Sequence, residues 1–224
     1  MKNNNQKYKF IVFSILLFLI SNSLLAHDVV GELEKMSKTD AAILYLQLGF
    51  KHIIPLGFDH ILFIISLCLI TPKLKPVLYQ ATAFTIAHSI TLGLAMFKII
   101  TPSAAIVEPI IAISIAYVAF ENIFSPTFKK SRLAIVFLFG LIHGLGFANA
   151  LGQLGLPEKS YFTSLIMFNV GVELAQVSII IIAWFALIKW FGQKDWYRSK
   201  VVLPISIAIA ATAMYWVVER IFFV

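Results

Sequence analysis

Most of this chain is written in apolar runs about as long as a bilayer is thick, and only short polar interruptions lie between them. A hydrocarbon core of roughly 30 Å is crossed by about 20 helical residues. No water is available there to the backbone, so runs of this length satisfy their N–H and C=O groups only as helices. From residue 41 onward six runs suit spans: about 41–71 with an interruption, 77–97, 104–124, 132–152, 161–188 and 202–222. The expected fold is all-α, a polytopic membrane protein whose six-transmembrane-helix bundle occupies 41–224. The first run is too long for one straight helix. Pro55 and Gly57 divide it into a lead-in near 42–53, which suits a re-entrant segment, and a main helix after Gly57. Composition agrees: 60% of the 224 residues are hydrophobic and 13% charged, against roughly 25% charged in soluble domains. A multidomain soluble enzyme is excluded.

The first 26 residues read differently. Lys2, Lys7 and Lys9 precede an apolar core from Phe10 to Ile20, followed by Ser21, Asn22 and Ser23 and then Leu24, Leu25 and Ala26. That order predicts a secretory signal peptide over 1–26, cut after Ala26, because the core is shorter than a span. His27 then becomes the new N-terminus, and 27–40 forms a short extracytoplasmic segment too small for a core of its own. A free amine beside the His27 ring, with Asp28 next to it, is a weak candidate for metal capture.

The formal charge of +7 is explained by where the cations sit. With the mature N-terminus outside, the inner loops hold Lys73 and Lys75, then Lys129, Lys130 and Arg132, then Lys189, Lys194, Arg198 and Lys200. The outer loops between spans hold only Lys98 and Lys159. The positive-inside rule therefore predicts an inner-membrane protein with both mature termini extracytoplasmic. The lipid bilayer is the partner of this charge, and no basic, aromatic-interleaved groove for nucleic acid is present. Cys68 is the single cysteine, so an intrachain disulfide and a CxxC motif are both excluded.

Ionisable groups at membrane depth are the functional signal, since each costs roughly 2.5–3.5 kcal/mol at a span centre on insertion scales. Asp59 and His60 open the main part of the first span. His88 lies halfway along the second, His143 halfway along the fourth and Glu173 halfway along the fifth. Any one buried histidine is explained by a hydrogen bond to a neighbouring helix. Four helices bringing imidazole or carboxylate towards one level is a different matter, and suits a divalent metal. Imidazole and carboxylate favour nickel, cobalt, zinc or ferrous iron, whereas copper(I) prefers sulfur ligands. Asn169, Glu173 and Gln176 follow i, i+4, i+7 and share a face, as do Thr85 and His88. Glu108 and Glu121 are thirteen residues apart on the third span, about 20 Å along a helix, so they suit opposite ends of a transport path. Gly140 and Gly144 flank His143 as a small-xxx-small pair that permits close helix approach.

Four stretches carry a resemblance. GFKHIIPLGFDHILF from Gly49 to Phe63, AFTIAHSITL from Ala83 to Leu92, GLIHGLGFA from Gly140 to Ala148 and FNVGVELAQ from Phe168 to Gln176 are similar, in the same order, to the motifs of the HupE/UreJ proteins, particularly their second branch. Six residues, Ile53–Phe58, separate His52 from the Asp-His pair, one more than in the HupE pattern. The resemblance implies a nickel or cobalt permease linked to hydrogenase or urease maturation, with metalloenzyme maturation proteins as partners. It implies metal roles for His52, Asp59 and His60 and, through their own motifs, for His88, His143 and Glu173. The transported metal is then the only ligand expected, with no organic cofactor and no enzymatic reaction. Two other readings stand beside it: a haem or metal redox membrane protein using two of His60, His88 and His143, and a non-transporting accessory protein that binds metal for a partner. An intramembrane hydrolase lacks its motifs, since neither HExxH nor GxSxG occurs.

Overall fold

A computed structural model describes residues 36–101, 103–125, 127–154 and 156–223. The expected signal peptide, its cut after Ala26 and His27 lie outside these residues. Among the described residues the chain is all-helical: α1 (Lys38–Ile53), α2 (Phe58–Leu69), α3 (Leu74–Met96), α4 (Ala104–Phe124), α5 (Arg132–Leu154), α6 (Tyr161–Ala183) and α7 (Leu203–Phe222). A π-turn at Trp184–Ile188 carries α6 on to Phe191, and another at Arg198–Val202 leads into α7.

Four helices are long and apolar enough to cross a membrane: α4, α5, the extended α6 and α7 with its lead-in. A fifth span results if α1 and α2, bent by 69° at their junction, are counted as one broken crossing. The expected interruption at Pro55 and Gly57 is this bend. The sixth expected span is the departure. α3 has 23 residues, which is length enough, yet it is absent from the apolar set. The reason is its polar content, for Gln80, Thr82, Thr85, His88, Ser89 and Thr91 all lie within it.

Helices pair tightly as α1 with α6, α3 with α5 and α4 with α7, and α2 lies among α4, α6 and α3. Glycine makes two of these pairings close. A Cβ on Gly140 would strike the backbone of Phe84, and one on Gly144 the carbonyl of His88 and the hydroxyl of Thr91, so α5 lies directly on α3. Gly171 does the same for α6 against Leu46 and Phe50 of α1, and Gly49 of α1 faces the Phe168 carbonyl in return. Lipid offers no hydrophobic drive to bring such helices together, so backbone approach over small residues supplies the packing.

Arg198, expected only as an orienting cation, donates to the carbonyls of Asn122, Ile123 and Ser125 and so caps the C-terminal end of α4. A second knot sits at the same end. Arg132 is fully buried and donates to Asn122 Oδ1 at 3.0 Å and to the Ser66 carbonyl at 3.3 Å, and it pairs with Glu121 at 3.2 Å. Asn122 Nδ2 in turn donates to the Ser66 carbonyl and hydroxyl. Buried charge of this kind is tolerated only when paired and hydrogen-bonded.

Candidate metal centre

His52 at the end of α1, His60 in the first turns of α2 and His88 midway along α3 each offer a ring nitrogen within 4.8 Å of the others. His60 and His88 are 4% and 0% exposed, so water does not satisfy them. The ring of His52 is held between neighbours, its centroid 3.9 Å from that of Phe147 and 4.8 Å from that of His60. His143 on α5 joins from the other side, with Nδ1 3.4 Å from His60 Nε2.

Tautomers follow from the second partner of each ring. The His88 Nδ1–H donates to Asn169 Oδ1 at 3.2 Å, and Asn169 is fixed in that orientation because its Nδ2 donates to the Leu165 carbonyl. His88 Nε2 then carries a lone pair, and it is buried without a hydrogen-bond partner, as is His52 Nε2. The His60 Nδ1–H donates to Asp59 Oδ1 at 3.0 Å, which leaves a lone pair on Nε2. Asp59 also accepts the His60 backbone N–H, so the carboxylate sits against the first turn of α2, where the helix dipole favours it. Ser114 gives its one hydroxyl proton to the Ile111 carbonyl and therefore accepts the His143 Nε2–H at 2.9 Å. The lone pair of His143 is consequently on Nδ1. When both rings are neutral, lone pairs on His60 Nε2 and His143 Nδ1 face each other across 3.4 Å. Two nitrogens bound to one tetrahedral metal at ~2.05 Å stand about 3.3 Å apart.

A cavity of about 530 Å³ opens onto this cluster. Its walls include His52, Asp59, His60 and His143, and Glu108, Lys51 and Arg220 also line it. Gly57, Leu151 and Arg220 place its mouth at the end of the bundle where α2 begins and α5 and α7 finish. His88 does not line the cavity and stands behind the other rings. Of the residues expected along the transport path, Glu108 lines the cavity, and its backbone carbonyl accepts from Arg220. Glu121 lies at the opposite end of α4 in the ion pair with Arg132.

Asn169, Glu173 and Gln176 share a face as their spacing predicts, and all three reach α3. They do different things there. Asn169 orients His88, Gln176 donates to the Thr85 hydroxyl, and the Glu173 carboxylate accepts from Thr82 and Thr85. Glu173 is thus held apart from the histidines, on a second cavity between α3 and α6. Three contributors escaped the sequence reading. Ser114 is the one serine in an apolar span, a signal that could have found it. Lys51 and Arg220 carried no signal beyond their charge, and Arg220 reads from sequence as an ordinary interfacial residue.

Imidazoles from four helices, three of them buried and oriented by a carboxylate, an amide and a hydroxyl, define a helical membrane protein built around a polyhistidine site. The chain belongs to the HupE/UreJ family, whose family model, described as HupE / UreJ protein, matches residues 28–220. That family is associated with nickel or cobalt transport or with urease and hydrogenase accessory roles. Neither a curated protein nor a solved structure matches the chain.

Proposed function

We propose that this protein is an inner-membrane permease that takes up a divalent transition metal, nickel or cobalt first, through the histidine cluster. The facing lone pairs of His60 and His143 carry the proposal. These two nitrogens, 3.4 Å apart in a buried site, call for a proton or a metal cation between them. His52 Nε2 and His88 Nε2 are buried without partners, and His52, His60 and His88 each offer a nitrogen within 4.8 Å of the others, so a cation held first by His60 and His143 has a second set of donors within reach. Rings held at both nitrogens make better ligands, since the second bond fixes orientation and raises basicity.

In this reading α3 is the sixth span, its polar face turned to α6 and its cost offset by hydrogen bonds within the bundle. The cavity mouth is extracytoplasmic, and the lysines and arginines of the alternate loops are cytoplasmic. Metal enters past Glu108, reaches Asp59 and His60, and passes inward towards His88. Such a site has to exchange its ligands, so its coordination is open rather than a closed tetrahedron of protein donors.

The test is a cellular uptake panel of nickel, cobalt, zinc and iron, comparing wild type with His60→Ala at matched membrane expression. Uptake of one metal that disappears in the variant is the expected result and names the cargo. Binding by purified protein without flux of any metal refutes the permease and assigns an accessory role.

A further inference from the structure

The cavity above the histidines is larger than a bare ion needs, and its charge is wrong for one. Its volume of about 530 Å³ falls in the range of roughly 300–1,000 Å³ that suits a small organic molecule. Its walls have the same character, with Leu48, Ile111, Phe147, Leu151 and Phe168 around a few converging polar groups. Lys51 and Arg220 stand against Asp59 and Glu108 in the lining, so its formal charges cancel. Pathways that select cations are ringed by carboxylates, whereas lysines and arginines ring pathways for anions. Asp59, moreover, is already engaged by the backbone and ring N–H groups of His60.

The two cations have no such engagement. Among the described residues neither Lys51 nor Arg220 pairs with a carboxylate. Arg220 donates one Nη1–H to the Glu108 carbonyl and lies over the Trp216 ring, which positions the guanidinium and leaves donors for a further acceptor. Both residues sit in the last turns of their helices, where the dipole favours a cation. The dipole does not explain why both border the cavity that reaches the histidines. We infer that the metal enters as a complex with a small polycarboxylate anion, whose outer carboxylates are held by Lys51 and Arg220 while the metal faces His60 and His143. The inference rests on the permease reading above and names the form of its cargo. Arg220 offers a fork that matches a carboxylate, and Lys51 a point charge. The apolar walls suit a carbon skeleton, which an inorganic anion lacks. Transfer is then ligand exchange: a metal–oxygen bond breaks with its electron pair left on the carboxylate, and an imidazole nitrogen supplies the pair for the new metal–nitrogen bond. The freed carboxylate stays with the two cations.

The experiment uses purified full-length protein, with nickel ion and radiolabelled citrate as probes. Equilibrium dialysis is expected to show about one citrate retained per bound nickel, with citrate affinity at least about tenfold lower when the metal is left out. Lys51→Gln, a change at an exposed position, is expected to lower citrate affinity at saturating nickel about tenfold, the loss of a hydrogen bond to a charged group. Lys51→Arg restores it, and Arg220→Gln repeats the loss from the other side of the cavity. Nickel bound without citrate, with excess citrate only stripping the metal from the protein, overturns the inference. Citrate retention unchanged in both glutamine variants also overturns it. In proteoliposomes, nickel flux that falls in step with the free ion as citrate is added leaves the permease standing and removes the anionic complex. Retention of nickel with citrate but no flux does the reverse, and a wild type that binds no metal in either form refutes both.

Discussion

Asn169 shows how a residue outside the histidine cluster sets the chemistry of a ring within it. Its carbonyl oxygen holds the proton of His88 on Nδ1, so Nε2 is left with its lone pair in a buried space without a partner. Asn169→Leu removes that instruction and leaves the ring free to take the other tautomer. Metal affinity measured by calorimetry is expected to fall about tenfold to a hundredfold, the usual loss for such a supporting contact, while the folded helical content is unchanged. Ser114→Ala acts the same way on His143, since the Nε2–H then has no acceptor. The sequence disclosed the histidines themselves, because an imidazole in an apolar run is conspicuous. It disclosed Asn169 by its helical spacing. It did not disclose the separation of Glu173 from the cluster, because helical spacing says which face a residue lies on and nothing about which neighbour's hydroxyls claim it. Lys51 and Arg220 were invisible for a related reason: a charge at a helix end acquires meaning only when two such ends border one cavity.

At the level of elements, the seams between helices hold these rings in register. Gly140 and Gly144 permit α5 to lie against the backbone of α3, and His143 is carried between them to within 4.9 Å of both the His60 and Phe84 ring centroids. Gly144→Val places a branched side chain against the His88 carbonyl and the Thr91 hydroxyl. Overpacking of this kind costs about 1–3 kcal/mol, and backbone as the obstructing partner argues for the upper end. The expected outcome in a thermal-unfolding assay is a lower midpoint together with lost metal binding, whereas Gly152→Val, where nothing lies within 4 Å of the added Cβ, leaves both intact. The small-xxx-small pattern of α5 was legible in sequence. The matching contact of Gly171 with α1 was not, because the two glycines of that seam, Gly49 and Gly171, lie on different helices far apart in the chain. The break at Pro55 and Gly57 was legible, while its angle of 69° depended on how α1 packs on α6.

For the whole molecule, pH separates imidazole chemistry from carboxylate chemistry. Protons compete with metal for imidazole lone pairs. Nickel binding by the purified protein is therefore expected to be lost on acid titration and restored on neutralisation, and binding that persists down to the pH at which the fold itself is lost counts against imidazole ligation. The arrangement of spans was readable because hydropathy is a property of each run alone. α3 is the exception, since its polar residues lower the very signal by which spans are recognised and leave it outside the apolar set. Stability at this scale has its own test in Arg132, whose partners come from α2 and α4. Arg132→Leu strands Glu121 and is expected to cost about 3–5 kcal/mol, read as a fall in unfolding midpoint that Glu121→Leu in the same chain partly restores. The same guanidinium has a consequence for traffic. It lies eleven residues before His143 on α5, roughly 16 Å along the helix axis, at the end of the bundle away from the cavity mouth. The Arg132, Glu121 and Asn122 knot ties α2, α4 and α5 together at that end. On the permease reading proposed above, a cation held by the histidines meets this knot on its way to the other side, and its delivery there requires that the three residues first let go of one another.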